Sequence, residues 1–137
     1  MPKVGSFVHT ITHDVAIAAT NAYSTTRRHN LDLTSDTNPG ETIPFRGRLD
    51  SINIVLDTIA GGATTLTVRL TRDLAGDDIA FGDTTATIST GVTTATAGSV
   101  TIKFDALYGY SSDSLYLFWK TNVGTANVDK ITVNWME

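Results

Sequence analysis

Apolar residues recur at every second position in six stretches of the sequence, and this period of two constrains the fold more than any other feature. Successive side chains of a β-strand point to opposite faces, so each stretch has one apolar face and one polar face. Apolar spacing of three and four residues, which marks an amphipathic helix, is not sustained anywhere. The pattern therefore predicts an all-β protein. The stretches are Ile11–Ala19, Ser51–Leu56, Leu66–Thr71, Val100–Asp105, Leu115–Lys120 and Ile131–Met136.

Two short connections between these stretches carry turn-forming residues. The segment Ala60–Ala63 contains two glycines, and the segment Asn122–Ala126 contains one. Since glycine accepts positive φ without steric cost, both segments are predicted to be β-hairpin loops. Hairpins favour antiparallel strands with one buried and one solvated face. We therefore expect an antiparallel β-sandwich of about seven to nine strands, in a single domain over residues 1–137.

Two regions depart from the alternation. Residues 21–48 form a polar stretch with two prolines, which predicts a long loop or arm. Residues 83–99 are rich in Thr, Ala and Gly and alternate weakly. For this second region we expect one short strand and a loop at a sheet edge, because small polar strands specify their register poorly.

Composition and charge exclude several functional classes. The chain has no cysteine, so it has neither disulfides nor a thiol nucleophile. Its 14 acidic residues outnumber its 10 Lys and Arg residues, which argues against a nucleic-acid partner. No apolar stretch approaches the ~20 residues needed to cross a bilayer, and the first residues lack the apolar core of a signal peptide. We expect neither a nucleic-acid nor a membrane partner.

Candidate catalytic and metal-binding residues are few. On a strand, His9 and His13 would lie roughly 13 Å apart, which is too far to share one metal ion. The acidic segment Asp73–Asp83 does not match an EF-hand loop, and calcium binding there stays open. No nucleophile elbow, P-loop or dinucleotide fingerprint is present. We therefore predict a protein that is not an enzyme and that has no catalytic residue, metal or cofactor.

Aromatic residues near the C-terminus divide between the two faces of a strand. Trp119 and Trp135 are in phase with the inward aliphatic residues, so both are predicted to lie in the core. An aromatic row on the outer face requires a cover, which is the domain's own loop, another protein or a sugar. The residues predicted for this row and its approach are Tyr108, Tyr110, Tyr116 and Phe118.

Four of the ten basic residues lie within or at the end of the polar stretch. The guanidinium group makes bidentate contacts with carboxylates, and arginine is enriched at protein interfaces. The pattern favours an arm that pairs with acidic groups of a partner, although a solvated loop is the simpler alternative. These residues are Arg27, Arg28, Arg46 and Arg48.

The segments Thr65–Asp73, Ser99–Asp105 and Asp113–Trp135, with their Thr, Ala and Gly content and no cysteine, resemble small β-sandwich structural proteins of tailed bacteriophages. The resemblance covers about residues 49–137 and is closest to jelly-roll-like capsid decoration (cement) proteins. It implies a subunit on the outside of a viral shell, often as a trimer. It implies no catalytic residue.

From this resemblance we expect a virion protein, assembled in the host cytoplasm, that binds the head between major capsid subunits and stabilises it. The expected partners are the major capsid protein or another virion protein, together with further copies of the chain in a homo-oligomer such as a trimer. A tail or fibre component and a glycan-binding β-sandwich module are the alternatives.

Overall fold

The computed structural model describes residues 8–31, 48–91, 94–108 and 115–136. Within these ranges the chain is all-β, and it contains no helix that could span a lipid bilayer. The strands are β1 (Val8–Ala19), β2 (Arg28–Asn30), β3 (Arg48–Ala60), β4 (Thr65–Thr71), β5 (Ile79–Thr87), β6 (Ser89–Gly91), β7 (Thr94–Tyr108), β8 (Tyr116–Thr121) and β9 (Thr125–Met136).

The strands pair in a nested order, so that early strands join late ones. Strand β1 pairs with β9, β2 with β8, β3 with β7 and β4 with β5, and all of these pairs are antiparallel. Additional pairing of β3 with β9 and of β4 with β8 gives a five-stranded sheet β1-β9-β3-β7-β6 and a four-stranded sheet β2-β8-β4-β5. A long antiparallel ribbon wrapped in this way is a jelly roll, which confirms the predicted fold class.

The core lies between the two sheets and is formed by the inward residues of the alternating stretches. Trp119 on β8 is fully buried and Trp135 on β9 is 1% exposed, as their phase with the aliphatic residues predicts. At one side Phe81 of β5 and Phe104 of β7 meet edge to face, with ring centroids 4.9 Å apart. This aromatic contact joins the two sheets, because β5 and β7 belong to different ones.

The two glycine-containing connections are not hairpin loops, so that part of the sequence prediction is wrong. Residues 61–64 lead from β3 in the five-stranded sheet to β4 in the four-stranded sheet, and residues 122–124 lead from β8 back to β9. The crossings meet at one end of the sandwich, where a Cβ added to Gly61 would lie 2.8 Å from the Cα of Gly124. Asn122 fixes them together, since its Oδ1 accepts hydrogen bonds from the backbone N–H groups of Thr64 and Thr65.

The weakly alternating region contains more structure than the single strand predicted for it. Strand β5 is an edge of the four-stranded sheet and β6 is an edge of the five-stranded sheet, so the expected edge position is correct. The chain passes between the sheets at Ile88, which is 7% exposed and whose N–H binds the Thr64 carbonyl. Small and polar residues predominate in these two edge strands, although β5 also contains Ile79 and Phe81.

The polar stretch predicted as an arm begins against the body of the protein. Residues 21–31 include β2, and Leu31 is fully buried, with its N–H bonded to the carbonyl of Leu115. The stretch therefore contributes an edge strand to the four-stranded sheet before residues 32–47, which lie outside the described part of the chain.

The backbone approach of the two crossings predicts a strong dependence on Gly124. This residue has φ +63°, and a Cβ there would collide with the carbonyl oxygen of Ala60. We expect Gly124→Ala to lower the free energy of unfolding by about 2–4 kcal/mol, from backbone strain and displacement of the Gly61 loop. Urea unfolding measures the loss. Gly82→Ala is the matched control, because no atom lies within 4 Å of an added Cβ there; equal losses in the two variants would contradict the account.

A second strained position lies in β3. Thr58 has φ +47° at a break in the register with β9, and its side chain is exposed. A β-branched residue is unfavourable in the left-handed region, which glycine enters freely. We expect Thr58→Gly to raise the free energy of unfolding by about 0.5–1 kcal/mol. Thr132→Gly, at a regularly paired position of β9, should lower the free energy of unfolding. A lower free energy of unfolding in both variants would contradict the proposed strain at Thr58.

Candidate binding surface

The predicted contact residues that the structure describes are divided between the two sheets and the segment that follows β1. Arg27 is half-buried, and its guanidinium donates a hydrogen bond to the carbonyl of Ala18 in the adjoining strand β1. This contact ties the segment after β1 to the end of that strand. Arg27 thus makes an intramolecular contact, which neither the partner-binding arm nor the solvated loop anticipates.

Arg28 and Phe118 are brought together across the four-stranded sheet. Arg28 of β2 is directly opposite Phe118 of β8, which in turn is opposite Arg69 of β4. Directly opposed residues of antiparallel strands share a face, so these three side chains form a row across the outer face. Tyr116, two residues before Phe118 on the same face, is half-buried.

Phe118 is on the outer face, as its phase predicts, but it is not accessible to a partner. Its ring is 3% exposed, and a Cβ added to Gly76 would lie only 3.0 Å from its Cζ. The loop between β4 and β5 therefore covers the ring, which is the own-loop alternative among the three covers considered. Gly76 has φ +85°, and its lack of a side chain permits this close approach.

The remaining predicted residues belong elsewhere. Arg48 of β3 pairs with Tyr108 of β7 in the other sheet, so their backbones are adjacent there. Arg46 and Tyr110 lie outside the described residues. The eight predicted residues therefore include an Arg28–Tyr116–Phe118 group in one sheet and an Arg48–Tyr108 pair in the other.

A charged cluster that the sequence did not reveal lies beside the Phe118 row. The Tyr23 hydroxyl donates to Asp83 Oδ1 at 3.0 Å, and Arg69 Nε donates to the same oxygen at 2.9 Å. The guanidinium carbon of Arg69 and the Nζ of Lys120 lie 4.5 Å and 4.7 Å from the centre of the Tyr23 ring. Tyr23 therefore attaches the segment between β1 and β2 to strands β4, β5 and β8 through cation–π and hydrogen-bond contacts.

The cluster shifts the pKa values of two of its members. Burial raises the pKa of Tyr23 well above its usual value, and the hydrogen bond to the Asp83 carboxylate and the charge of that carboxylate raise it further. Partial burial raises the pKa of Asp83, but hydrogen bonds from Arg69 and Tyr23 and the charges of Arg69 and Lys120 outweigh it, so the net pKa is lowered. Both shifts favour a neutral tyrosine that donates to an ionised carboxylate.

A small groove opens next to the cluster on the outer face of the four-stranded sheet. It has a volume of about 120 Å³ and lies between the segment after β1 and the loop that covers Phe118. Arg69 is the only charged residue in its lining, and its side chain is 29% exposed. The lining residues are Tyr23, Ser24, Thr25, Arg69, Ala75, Gly76 and Phe118.

Three carboxylates of the acidic segment considered for calcium, those of Asp73, Asp78 and Asp83, have partners within the chain. Asp73 Oδ1 accepts hydrogen bonds from the backbone N–H groups of Gly76, Asp77 and Asp78, and Asp78 pairs with Arg72 at 3.4 Å. Throughout the described part of the chain, no three His, Cys, Asp or Glu side chains are grouped so that they could hold a metal ion. Asp73 instead shapes the loop that lies over Phe118.

The outer face of the five-stranded sheet is mostly polar, with Val55 exposed and Ser51 buried, and its polar side chains are linked across strands. One row runs from Thr10 through Asn134 to Ser51, with hydrogen bonds of 2.9 Å and 3.0 Å. In parallel rows Asn53 donates to Thr101 at 2.9 Å, and Asn127 donates to Asp57 at 2.8 Å. These bonds fix the orientation of side chains that face outward, so the face is ordered before any contact is made.

Comparisons with known proteins give no functional assignment. No family model and no curated protein matches the chain. Among solved structures, dimeric latent PorU from Porphyromonas gingivalis is similar over 98% of this chain, with 15% identical residues and a TM-score of 0.48. The chain spans 13% of the length of the PorU chain.

The cluster predicts a pH-dependent contribution of the Tyr23 hydroxyl. We expect Tyr23→Phe to lower the free energy of unfolding by about 1 kcal/mol at neutral pH. Because the folded-state pKa of Asp83 is depressed, its stabilising contribution is present above about pH 4 and is lost as the pH falls through that lower value. The difference between wild type and variant should therefore narrow in acid.

In alkali the sign changes, because the pKa of Tyr23 is raised in the folded state. Its contribution is complete below about pH 10 and is lost as the pH rises toward the folded-state value. Wild type should therefore lose more stability than Tyr23→Phe in that range. Urea titrations from acid to alkali measure both effects. Tyr116→Phe is the control, because the described residues give its hydroxyl no side-chain hydrogen bond; an identical pH profile for both variants would argue against the cluster.

Proposed function

We propose that the protein is a non-enzymatic structural subunit of a bacteriophage particle, a decoration protein that binds the outer surface of the head between major capsid subunits. The observation that carries the proposal is the polar outer face of the five-stranded sheet, whose side chains are already held by cross-strand hydrogen bonds. A face that is ordered in advance loses little side-chain entropy when it docks on a protein. The phage-like character of the sequence supports the same assignment.

The sandwich suits a role that is mechanical. A ligand that binds only the assembled shell stabilises that shell by mass action. Since the same contact repeats over the whole lattice, each copy needs only a modest interface. Self-association into a trimer and residence in the virion after assembly in the host cytoplasm belong to this proposal.

A glycan-binding module is less well supported, because sugars stack on open aromatic faces. Trp119 and Trp135 are buried, Phe118 is 3% exposed, and two cations lie over the Tyr23 ring. Among the described side chains this leaves Tyr116 and Phe81, which are half-buried, and Phe81 packs against the core. A tail or fibre component is the better supported alternative, since it would use the same β-sandwich at another place in the particle.

Cosedimentation with empty heads of the phage that encodes the chain tests the proposal. We expect saturable binding and a higher melting temperature of the decorated heads. Thr101→Arg should weaken binding by at least about tenfold, because it places a long charged side chain on the ordered face and removes the acceptor for Asn53.

Thr85→Arg is the matched control on the other sheet. Thr85 is also exposed on a strand and also has one cross-strand hydrogen bond, to Thr67 at 2.7 Å. Thr85→Arg should leave head binding unchanged, because Thr85 is neither on the five-stranded sheet nor in the lining of the groove beside Phe118. Failure of the wild-type protein to bind heads while it binds purified tails would reject the decoration role in favour of a tail component. Equal loss in both variants would reject the five-stranded sheet as the docking face.

A further inference from the structure

The groove beside Phe118 has the composition of a site for a single anionic group. Its floor is the buried Phe118 ring, and its walls come from the segment 23–25 and from Ala75 and Gly76. Two separate parts of the chain thus converge over one sheet face. The Tyr23 contacts and the Asp73 hydrogen bonds fix the two walls independently, so the groove is formed before a ligand enters.

Arg69 provides the charge inside the groove. Its Nε is occupied by Asp83 at 2.9 Å, whereas its terminal nitrogens have no hydrogen-bond partner among the described residues. The ion pair holds the guanidinium plane in one orientation and leaves the terminal edge for another acceptor. A guanidinium edge matches the two oxygens of a carboxylate.

Neighbouring groups favour an anion over a cation. The Lys120 ammonium group makes the second cation–π contact with the Tyr23 ring, and Arg28 of β2 is directly opposite Phe118. The carboxylates nearby are engaged outside the lining, with Asp83 on Arg69 and Asp78 on Arg72. Asp73 accepts three backbone N–H groups, and Asp77 is exposed on the covering loop. Ser24 and Thr25 add hydroxyl groups to the lining.

The size of the groove limits what it can hold. Its 120 Å³ is well below the roughly 300–1,000 Å³ of sites for drug-sized ligands. A carboxylate with one or two methylene groups fits such a space better than a sugar ring does. An aspartate or glutamate side chain presents this group on a protein surface.

We propose that this groove receives the carboxylate of an acidic side chain from the capsid protein, paired with the terminal nitrogens of Arg69. The identity of the partner rests on the proposed function, whereas carboxylate binding by the groove does not. The contact would fix the orientation of the subunit on the shell, since a single charged anchor in a pocket selects one docking geometry.

The first experiment uses the free protein and a small probe. N-acetyl-glutamate methylamide, whose only charge is the side-chain carboxylate, is titrated while the backbone amide signals of Ser24, Thr25 and Gly76 are followed by NMR. We expect saturable shifts at those residues. The neutral isostere N-acetyl-glutamine methylamide should cause none, and equal shifts with both probes would overturn the proposal. Tighter binding of sulfate than of the carboxylate probe would overturn the assigned ligand class.

Variants separate the groove from general charge effects. Arg69→Gln should weaken probe binding by at least about tenfold, because it removes a charge-assisted pair. Arg72→Gln is the control, since Arg72 also pairs with one aspartate but lies outside the lining. Ala75→Met fills the groove without altering the Arg69–Asp83 pair and should also abolish binding. Equal loss in Arg72→Gln, or unchanged binding in Ala75→Met, would contradict the site.

The same variants applied to heads distinguish the two proposals. If the wild-type protein binds the probe but does not bind heads, the carboxylate site is supported and the decoration role is rejected. If Ala75→Met and Arg69→Gln lose probe binding but bind heads as tightly as the wild-type protein does, the capsid protein is rejected as the source of the carboxylate. A parallel loss of probe and head binding supports the inference as stated.

Discussion

The two sheets can bury their apolar faces only against each other, and the rest of the structure follows from this constraint. The tryptophans illustrate it, since Trp119 and Trp135 lie on consecutive strands of opposite sheets and both are almost fully buried. Their indole N–H groups have no hydrogen-bond partner in the described part of the chain. Apolar contact therefore stabilises the interior around the two tryptophans. The chain crosses from one sheet to the other wherever consecutive strands belong to different sheets.

The outer faces of the two sheets differ within the described part of the chain. Tyr23 and the Asp73 loop lie over the four-stranded sheet and leave a small groove between them. The outer face of the five-stranded sheet is instead an array of hydrogen-bonded Thr, Asn and Ser side chains. The broad ordered face and the narrow charged groove are different kinds of surface, and they lie on opposite sides of the sandwich because each belongs to the outer face of a different sheet.

Sequence periodicity was sufficient for the long strands because each one borders the core. Periodicity did not identify β2, which is three residues long. It indicated only one short strand where β5 and β6 lie, because β5 has only small or polar residues after Phe81. The glycine-containing connections were predicted to be hairpins because glycine indicates a tight turn of the backbone. It does not indicate whether the next strand pairs in the same sheet or in the other one. The Tyr23–Asp83 contact joins residues 60 positions apart, and no local spacing in the sequence marks such a pair. Phe118 was assigned to the correct face, but its cover depends on Gly76, more than 40 positions earlier in the chain.

The nested pairing also determines when the five-stranded sheet can be completed during synthesis. Strand β1 has β9 as its neighbour in the five-stranded sheet, so β1 is synthesised well before this partner, which follows every other described strand in the sequence. Contacts of such long sequence separation are closed late and slowly. Until β9 has been synthesised, β1 therefore lacks its neighbour in the sheet, and Thr10 and Thr12 keep part of that unpaired strand polar.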